Sequence, residues 1–390
     1  MLNMSVQIIY SGEEQGLMRQ IGFFRSDSPF RLECGQTLQQ MELAFETYGQ
    51  LNSARDNAIL LCHALTGNTY AAGANEPLGV LNKYVPFLRR KNFLWRPWWN
   101  ELIGKGKALN TDRYFIISPN IIGSCYGSSG PVSINPKTNK PYGVDFPPIT
   151  VRDMVRTQFE LVKAFGVQRL VTAVGGSLGG MQVLEWAVMH PDLLSSIIPI
   201  ATVAQHSAWA IGLNQVARQA IMTDPQWENG YYQRQPENGL ALARKIAMLS
   251  YRTDTSFNQR FGYERLLPQD TIFNEKKLFQ VENYLNYQGQ KIVARFDANS
   301  YISLSYAMDR HDLSRDRASL KDVLASIKAK ALCMGIDSDI LYPDSEQRKL
   351  AASIPSAEYK QIQSDAGHDA FLIEFDQLNY FIHTFLRGVI

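Results

Sequence analysis

Gly175-Gly176-Ser177-Leu178-Gly179-Gly180 is the part of this chain best suited to covalent chemistry. It fits G-x-S-x-G, the pattern of a nucleophilic serine on a sharp strand-to-helix turn. The spacing has a steric cause. A serine held in a strained backbone conformation needs nearly side-chain-free neighbours two residues before and two after it, and its Oγ then points into a cleft at the positive end of a helix. The flanks supply that context: an apolar run at 170–174 ahead of the turn, and Met181, Leu184, Trp186 and Val188 at helical spacing behind it. A glycine-rich turn of this kind can also cradle a phosphate. The dinucleotide pattern, however, needs G-x-G-x-x-G followed by an acid at a strand end, and GGSLGG does not have that spacing.

A serine hydroxyl needs a base, and the base needs an orienting acid. At an elbow of this type both partners follow the serine, the acid before the histidine. The downstream histidines are His190, His206, His311, His368 and His383. His190 ends the elbow helix, His206 and His311 lie in or beside a helical stretch, and His383 belongs to the terminal helix. His368 alone sits in a loop after an expected strand, with Gly367 allowing a tight turn, and it is the expected base. The strand at 331–336 leads into Asp337-Ser338-Asp339, and the residues alone leave either aspartate open as the acid. Acyl transfer also needs donors for an oxyanion. The backbone N–H of Leu178, directly after the serine, is one. The loop CHALTG (62–67) after the strand at 58–63 points to the N–H of Leu65 as the second, with His63 as a structural loop residue.

These side chains require a scaffold. Short apolar runs at 58–63, 114–118, 170–174 and 197–201 read as strands buried on both faces, alternating with helices after Thr150 and after Ser177. Thr150 is a plausible N-cap with Asp153 in the first turn, and Gly166 stops that helix. The pattern predicts an α/β fold with right-handed crossovers. From about 203 to 318 the alternation stops and only helical stretches appear, at 206–222, 239–251 and 299–309. So long a segment is a helical insertion rather than one loop. Helix and strand then alternate again near 319–327, 331–336, 344–353 and 357–363, before a last helix at about 374–386. The expected division is therefore 1–202 as the first part of the core, 203–318 as the insertion and 319–390 as the second part.

Composition excludes several classes. With 39 basic and 37 acidic residues the net charge is +2, which offers no bulk attraction for nucleic acid. Arg89, Arg90, Lys91 and Arg96, among Phe93, Trp95, Trp98 and Trp99, read as a solvated loop edge. Cys34, Cys62, Cys125 and Cys333 are scattered, without the spacing of a disulfide scaffold or zinc site. No signal peptide is visible, and no apolar run approaches the ~18–20 residues that span a bilayer. A cytoplasmic protein is expected.

The longer motifs resemble one family, the homoserine O-acetyltransferases of methionine biosynthesis. The matching stretches are CHALTG (62–67), NIIGSCYGSSGPVSINPKTNKPYGVDFP (120–147), TVRDMVRTQ (150–158), GGSLGGMQVLEWA (175–187), RQAIMTDPQW (218–227), GIDSDILYP (335–343) and GHDAFLIE (367–374). The resemblance implies an α/β-hydrolase fold: a mostly parallel central sheet, helices on both faces and an inserted helical lid. It implies Ser177 as nucleophile, His368 as base and, through the S-D-x-L-Y segment, Asp339 as the triad acid. It further implies Arg218 on the homoserine carboxylate, Asp369 on its ammonium, and Tyr232 near the pocket. Leu178 stands where many members have methionine, a volume-conserving change at a position whose backbone acts. Acetyl-CoA is implied as co-substrate, with no tightly bound cofactor or metal, and a homodimer formed through the lid. A succinyl-CoA or serine-accepting sister enzyme, an esterase or thioesterase, and a non-catalytic binding protein of the same fold are the rival readings.

Overall fold

The computed structural model describes residues 4–74, 96–266 and 279–389. Nine strands form one sheet: β1 (Met4–Glu14), β2 (Leu17–Ser26), β3 (Met41–Tyr48), β4 (Ala58–Cys62), β5 (Phe115–Pro119), β6 (Leu170–Gly176), β7 (Leu194–Ile200), β8 (Lys330–Ile336) and β9 (Ala357–Ile362). Their spatial order is β1-β2-β3-β5-β4-β6-β7-β8-β9. The first three strands and the β3–β5 pair are antiparallel, and β5 through β9 are parallel throughout.

The continuous apolar runs are explained by cover on both faces. In β4, Ala58, Leu60 and Cys62 join a core with Met154, Val155, Leu184 and Trp186. Ile59 and Leu61, pointing the opposite way, pack with Ile198, Met334, Leu378 and Ile382. The first face is covered by α1 (Val151–Ala164) and α2 (Leu178–Met189), and the second by a C-terminal helix at Phe375–Arg387. Thr150 and Asp153 close a full capping box at the start of α1, and Gly166, at φ 72°, follows its end.

Between β7 and β8 the described chain is helical: α3 (Ala208–Met222), α4 (Glu237–Tyr251), α5 (Asp254–Phe261), α6 (Gln280–Arg295) and α7 (Ala298–Asp309). Helix α4 packs against α3 and α6, and α3 packs also on α7. The antiparallel strands β1–β3 were not anticipated from the sequence. Their faces mix buried Phe23, Phe24 and Phe45 with buried Arg19 and Glu46, whose ion pair at 2.8 Å breaks the apolar alternation. Of the basic and aromatic cluster, residues 89–95 lie outside the described residues. Its remainder is not a simple solvated edge: Trp99 is fully buried and donates from Nε1 to the Phe371 carbonyl at 3.0 Å.

Candidate active site

Ser177 stands between β6 and α2 with φ 59° and ψ −126°, a conformation that side-chain-bearing residues rarely adopt. Tight packing holds it there. Its N–H donates to Ile200 O at 3.0 Å, and its carbonyl accepts from Thr202 Oγ1 at 2.9 Å. A methyl group at Gly175 would lie 2.4 Å from the Cys62 carbonyl oxygen, and one at Gly179 would lie 2.0 Å from the same atom. The bare flanks therefore let the β6–α2 turn press against the end of β4.

His368 is buried in a short turn after β9, with its Nδ1 2.6 Å from Asp339 Oδ2. Asp339 Oδ1 accepts from the N–H groups of Leu341 and Tyr342, at 2.8 and 3.0 Å. With Nδ1–H donated to a fixed carboxylate, the Nε2 lone pair is left as the base. Asp337 points elsewhere and accepts from the Ser364 N–H. Burial disfavours the His368 imidazolium. The charge and hydrogen bond of Asp339, with Asp369 nearby, outweigh burial and raise its pKa above the ordinary value. Tyr342, Tyr251 and Phe371 surround the ring at 5.2 to 5.6 Å between centroids.

Ser177 and His368 line one cavity of about 860 Å³ together with Leu65, Asp369, Tyr251 and Phe371. Among the described residues, neither the Leu65 nor the Leu178 N–H donates to another protein group, as expected for Leu178 in the first turn of a helix. The loop bearing Leu65 is held from two directions. From below, Trp186 Nε1 donates to Gln158 Oε1, Gln158 Nε2 to Gln182 Oε1, and Gln182 Nε2 to the His63 carbonyl, at 2.8, 2.7 and 3.2 Å. From above, Arg295 at the end of α6 donates to Thr66 O and Oγ1 at 2.7 and 2.8 Å. His63 is buried within the loop, Nε2 2.9 Å from Asn120 Oδ1, and burial lowers its pKa.

The residues expected at the amino acid end are distributed differently. Asp369 lines the cavity, with Arg252 Nε 3.2 Å from its Oδ2. Arg218 does not line it. Its guanidinium is buried in α3, 2.7 Å from Asp309 Oδ2, donates to Ser305 and Gln215, and lies over the Tyr306 ring. Its Nε, also buried, has no hydrogen-bond acceptor among the described residues. Arg218 thus lies outside the cavity lining, with Asp309 as its partner. Tyr232 likewise does not line the cavity. Its hydroxyl donates to Asp297 and accepts from the Asn299 N–H at 3.2 Å. The residues that sequence reasoning missed are the cavity cations Arg96, Arg244, Lys291 and Arg295 and the amide pair Gln158 and Gln182. In the sequence Arg244, Lys291 and Arg295 look like ordinary charges on amphipathic helices and Arg96 like part of a loop edge, and only TVRDMVRTQ and GGMQ mark the amides within long motifs.

A strained serine after a strand, a carboxylate-oriented imidazole and two nearby backbone N–H groups left unpaired among the described residues are the arrangement of an α/β-hydrolase-type acyl-transfer enzyme. Residues 57–375 match the family model described as alpha/beta hydrolase fold. A homoserine O-acetyltransferase of Trichormus variabilis is 47% identical over 375 residues, covering 96% of each chain. The solved homoserine O-acetyltransferase of Bacillus anthracis superposes with a TM-score of 0.84 at 29% identity, covering 95% of this chain and 98% of that one. Esterase E22 superposes equally well, at 0.84 and 27% identity, over 95% and 100% of the two chains. The chain belongs to the homoserine O-acetyltransferase family.

Proposed function

We propose that this protein transfers the acetyl group of acetyl-CoA to the hydroxyl of L-homoserine through an acyl-Ser177 intermediate. The observation that carries the reading is Ser177 at φ 59° on the elbow, lining the same cavity as a His368 whose Nδ1 is fixed by Asp339. His368 Nε2 takes the Ser177 proton as Oγ attacks the thioester carbon, and the oxyanion is held by the Leu65 and Leu178 N–H groups. The tetrahedral intermediate collapses and breaks the C–S bond, and the thiol of CoA leaves with the proton from His368. The homoserine hydroxyl then gives its proton to His368 and attacks the acyl carbon. Collapse breaks the Ser177 ester, returns the proton to Ser177 and releases O-acetylhomoserine. No metal or tightly bound cofactor is required by these steps.

Homoserine's ammonium is assigned to Asp369 and its carboxylate to Arg218. For the second contact the carboxylate must replace Asp309, and the acceptor-free Nε of Arg218 gives a two-point fork for it. Tyr251, which lines the main cavity and a small one bordered by His206 and Asn214 of the lid, stands between the two regions. Tyr232 would act on the pocket only indirectly, by holding Asp297. A homodimer is assigned to the lid. Support comes from exposed apolar residues one heptad apart on two packed helices, Trp209 and Val216 on α3 and Leu242 and Leu249 on α4. No helix of the described residues is long and apolar enough to cross a membrane. The reading places the enzyme in the cytoplasm, in keeping with its four unpaired cysteines.

The esterase of the same fold makes hydrolysis the reading to exclude. The test is thiol release from acetyl-, propionyl- and succinyl-CoA with L-homoserine, with L-serine and with no acceptor. Rapid release only with acetyl-CoA and homoserine is expected, together with an acetyl group on the Ser177 peptide when the acceptor is omitted. Release at equal rates without acceptor makes the protein a thioesterase.

A further inference from the structure

Two glutamines occupy a core that is otherwise largely apolar. Gln158 on α1 and Gln182 on α2 are fully buried, as is Trp186 one turn beyond Gln182. A buried amide is costly unless its polar atoms are bonded. Apolar residues of similar volume would fill the same space without that cost. Packing alone therefore does not account for the pair.

Their bonds have one direction. An indole N–H donates and cannot accept, so Trp186 Nε1 selects the oxygen of Gln158, at 2.8 Å. Gln158 Nε2 is then left to donate to Gln182 Oε1, at 2.7 Å, which aims the Gln182 amide nitrogen away from the chain of donors. That nitrogen donates to two carbonyls, His63 O at 3.2 Å and Leu178 O at 3.1 Å. The carbonyls belong to different segments, the loop after β4 and the first turn of α2. In each segment the bonded peptide group is one α-carbon from an oxyanion donor: through Ala64 to the Leu65 N–H, and through Leu178 to its own N–H. The two segments also lie against each other, since a methyl group at Gly179 would stand 3.3 Å from the His63 carbonyl carbon.

We infer that Gln182 is a positioning residue for the oxyanion: a crosspiece that sets the separation and aim of the Leu65 and Leu178 N–H groups. Trp186, acting through Gln158, fixes which end of the Gln182 amide faces them. The inference rests on the acyl-Ser177 reading above and deepens it. Donors aimed in advance at a developing charge need no reorganisation when it forms, and donors on segments far apart in the chain keep that aim only if something ties the segments together. Arg295 braces the Leu65 loop alone, whereas Gln182 ties that loop to the helix carrying the other donor.

The experiment uses the full chain, its Gln182→Met and Trp186→Phe variants, and the two changes combined. Cleavage of p-nitrophenyl acetate is inhibited with a thioether trifluoromethyl ketone and with the methyl ketone of the same skeleton. Ser177 Oγ adds to the carbonyl carbon of the first, its proton passing to His368 and the carbonyl electron pair to an oxyanion; the second binds as the unreacted ketone. In Gln182→Met the preference for the trifluoromethyl ketone is expected to fall about tenfold, less than the ~10²–10³ in rate that loss of a whole donor costs, with methyl ketone binding unchanged. The p-nitrophenol burst, which needs neither CoA nor homoserine, should slow by a similar factor. Trp186→Phe should show the same split to a smaller extent, and it carries the test if Gln182→Met fails to fold. Because both changes act on the same two bonds, the combined variant should lose no more than Gln182→Met alone. An unchanged preference in either folded single variant overturns the inference, as do losses that multiply in the combined one. No burst from the unaltered protein, or an undiminished burst in Ser177→Ala, would instead be a failure of the acyl-Ser177 reading itself.

Discussion

At the scale of single residues, the orientation of one imidazole decides the chemistry. Asp339 accepts the His368 Nδ1–H and is itself fixed by two backbone donors, so Asp339→Asn presents the wrong partner to the ring. The analogous change in a serine protease lowers turnover by about 10⁴-fold, and a loss of that order is expected here. Asp337→Asn, which alters only a bond to the Ser364 backbone, should cost far less. The same pair governs the pH profile. His368 must be neutral to act, and its pKa is raised, so kcat/KM should fall as pH drops through a value above the ordinary ~6.5. Asp369→Asn removes one of the raising charges and should move that limb to lower pH. A limb that stays put or moves upward would show that Asp369 does not act on the ring.

Arg218 can be tested at the same scale. Arg218→Ala should leave the burst of CoA release from the first half-reaction near its original size and slow the homoserine-dependent second half. Because the change also takes one partner from half-buried Asp309, which keeps Asn214 Nδ2 at 2.8 Å and His206 Nδ1 at 3.3 Å, a stability loss of about 1–3 kcal/mol is expected. Asp309→Asn therefore serves as the companion variant: it loosens the same ion pair but keeps the guanidinium. If Arg218→Ala slowed acylation while homoserine-dependent deacylation kept its rate, the carboxylate partner would be another cation, with Arg244 in the cavity wall the first to examine.

Among the secondary elements, the β6–α2 turn has the least tolerance. Gly179→Ala would place a methyl group 2.0 Å from the Cys62 carbonyl oxygen, a backbone atom at the end of β4 that cannot rotate away. Overpacking of this kind costs about 1–3 kcal/mol or more, and here it also displaces the strand that leads into the Leu65 loop. A lowered Tm and a loss of activity larger than the stability change accounts for are expected. Gly212→Ala, on an open face of α3 where nothing lies within 4 Å, should leave Tm the same or higher, because alanine is the better helix former. The elbow, the parallel strands and the lid helices α3, α4 and α7 are legible in the sequence because each is written locally, in apolar runs, caps and glycine spacing, whereas α5 and α6 do not stand out there. The antiparallel strands are not, because Arg19 and Glu46 occupy core positions that only their mutual pairing permits. The choice between Asp337 and Asp339 is not legible from the residues either. Both leave β8 within three residues, and the direction of each side chain is set by the turn that returns the Asp339 N–H to Ile336 O. The burial of Arg218 depends on Asp309, which is far along the chain and brought near only by the packing of α3 on α7.

For the molecule as a whole, two consequences are measurable. The exposed stripe on α3 and α4, with Trp209 59% exposed, predicts a dimer through the lid. Trp209→Glu combined with Leu249→Glu should yield a monomer by light scattering, and an unaltered mass would place any interface elsewhere. Stability should depend on pH through buried neutral histidines. Burial pushes His190 down to about 4 and His311 down to about 3. The unfolded chain takes up these protons near pH 6.5 and the folded one does not, so stability is lost as pH falls from about 6.5 toward 4. The raised His368 contributes with the opposite sign, favouring the fold at low pH. Tm should therefore decline over that interval, and His311→Gln should flatten part of the decline. A Tm constant between pH 7 and 4 would contradict this account.

The bond from Arg295 to Thr66 ties access to readiness. The guanidinium that lines one wall of the cavity also braces the segment presenting the Leu65 N–H, so a displacement of α6 wide enough to break that bond would loosen the Leu65 donor at the same moment. An acylated serine would then meet bulk solvent when it is least reactive, and would recover full reactivity only once the wall had returned around a second substrate. Water is the most abundant rival acceptor in the cell, and a single side-chain fork would discriminate against it by timing rather than by affinity.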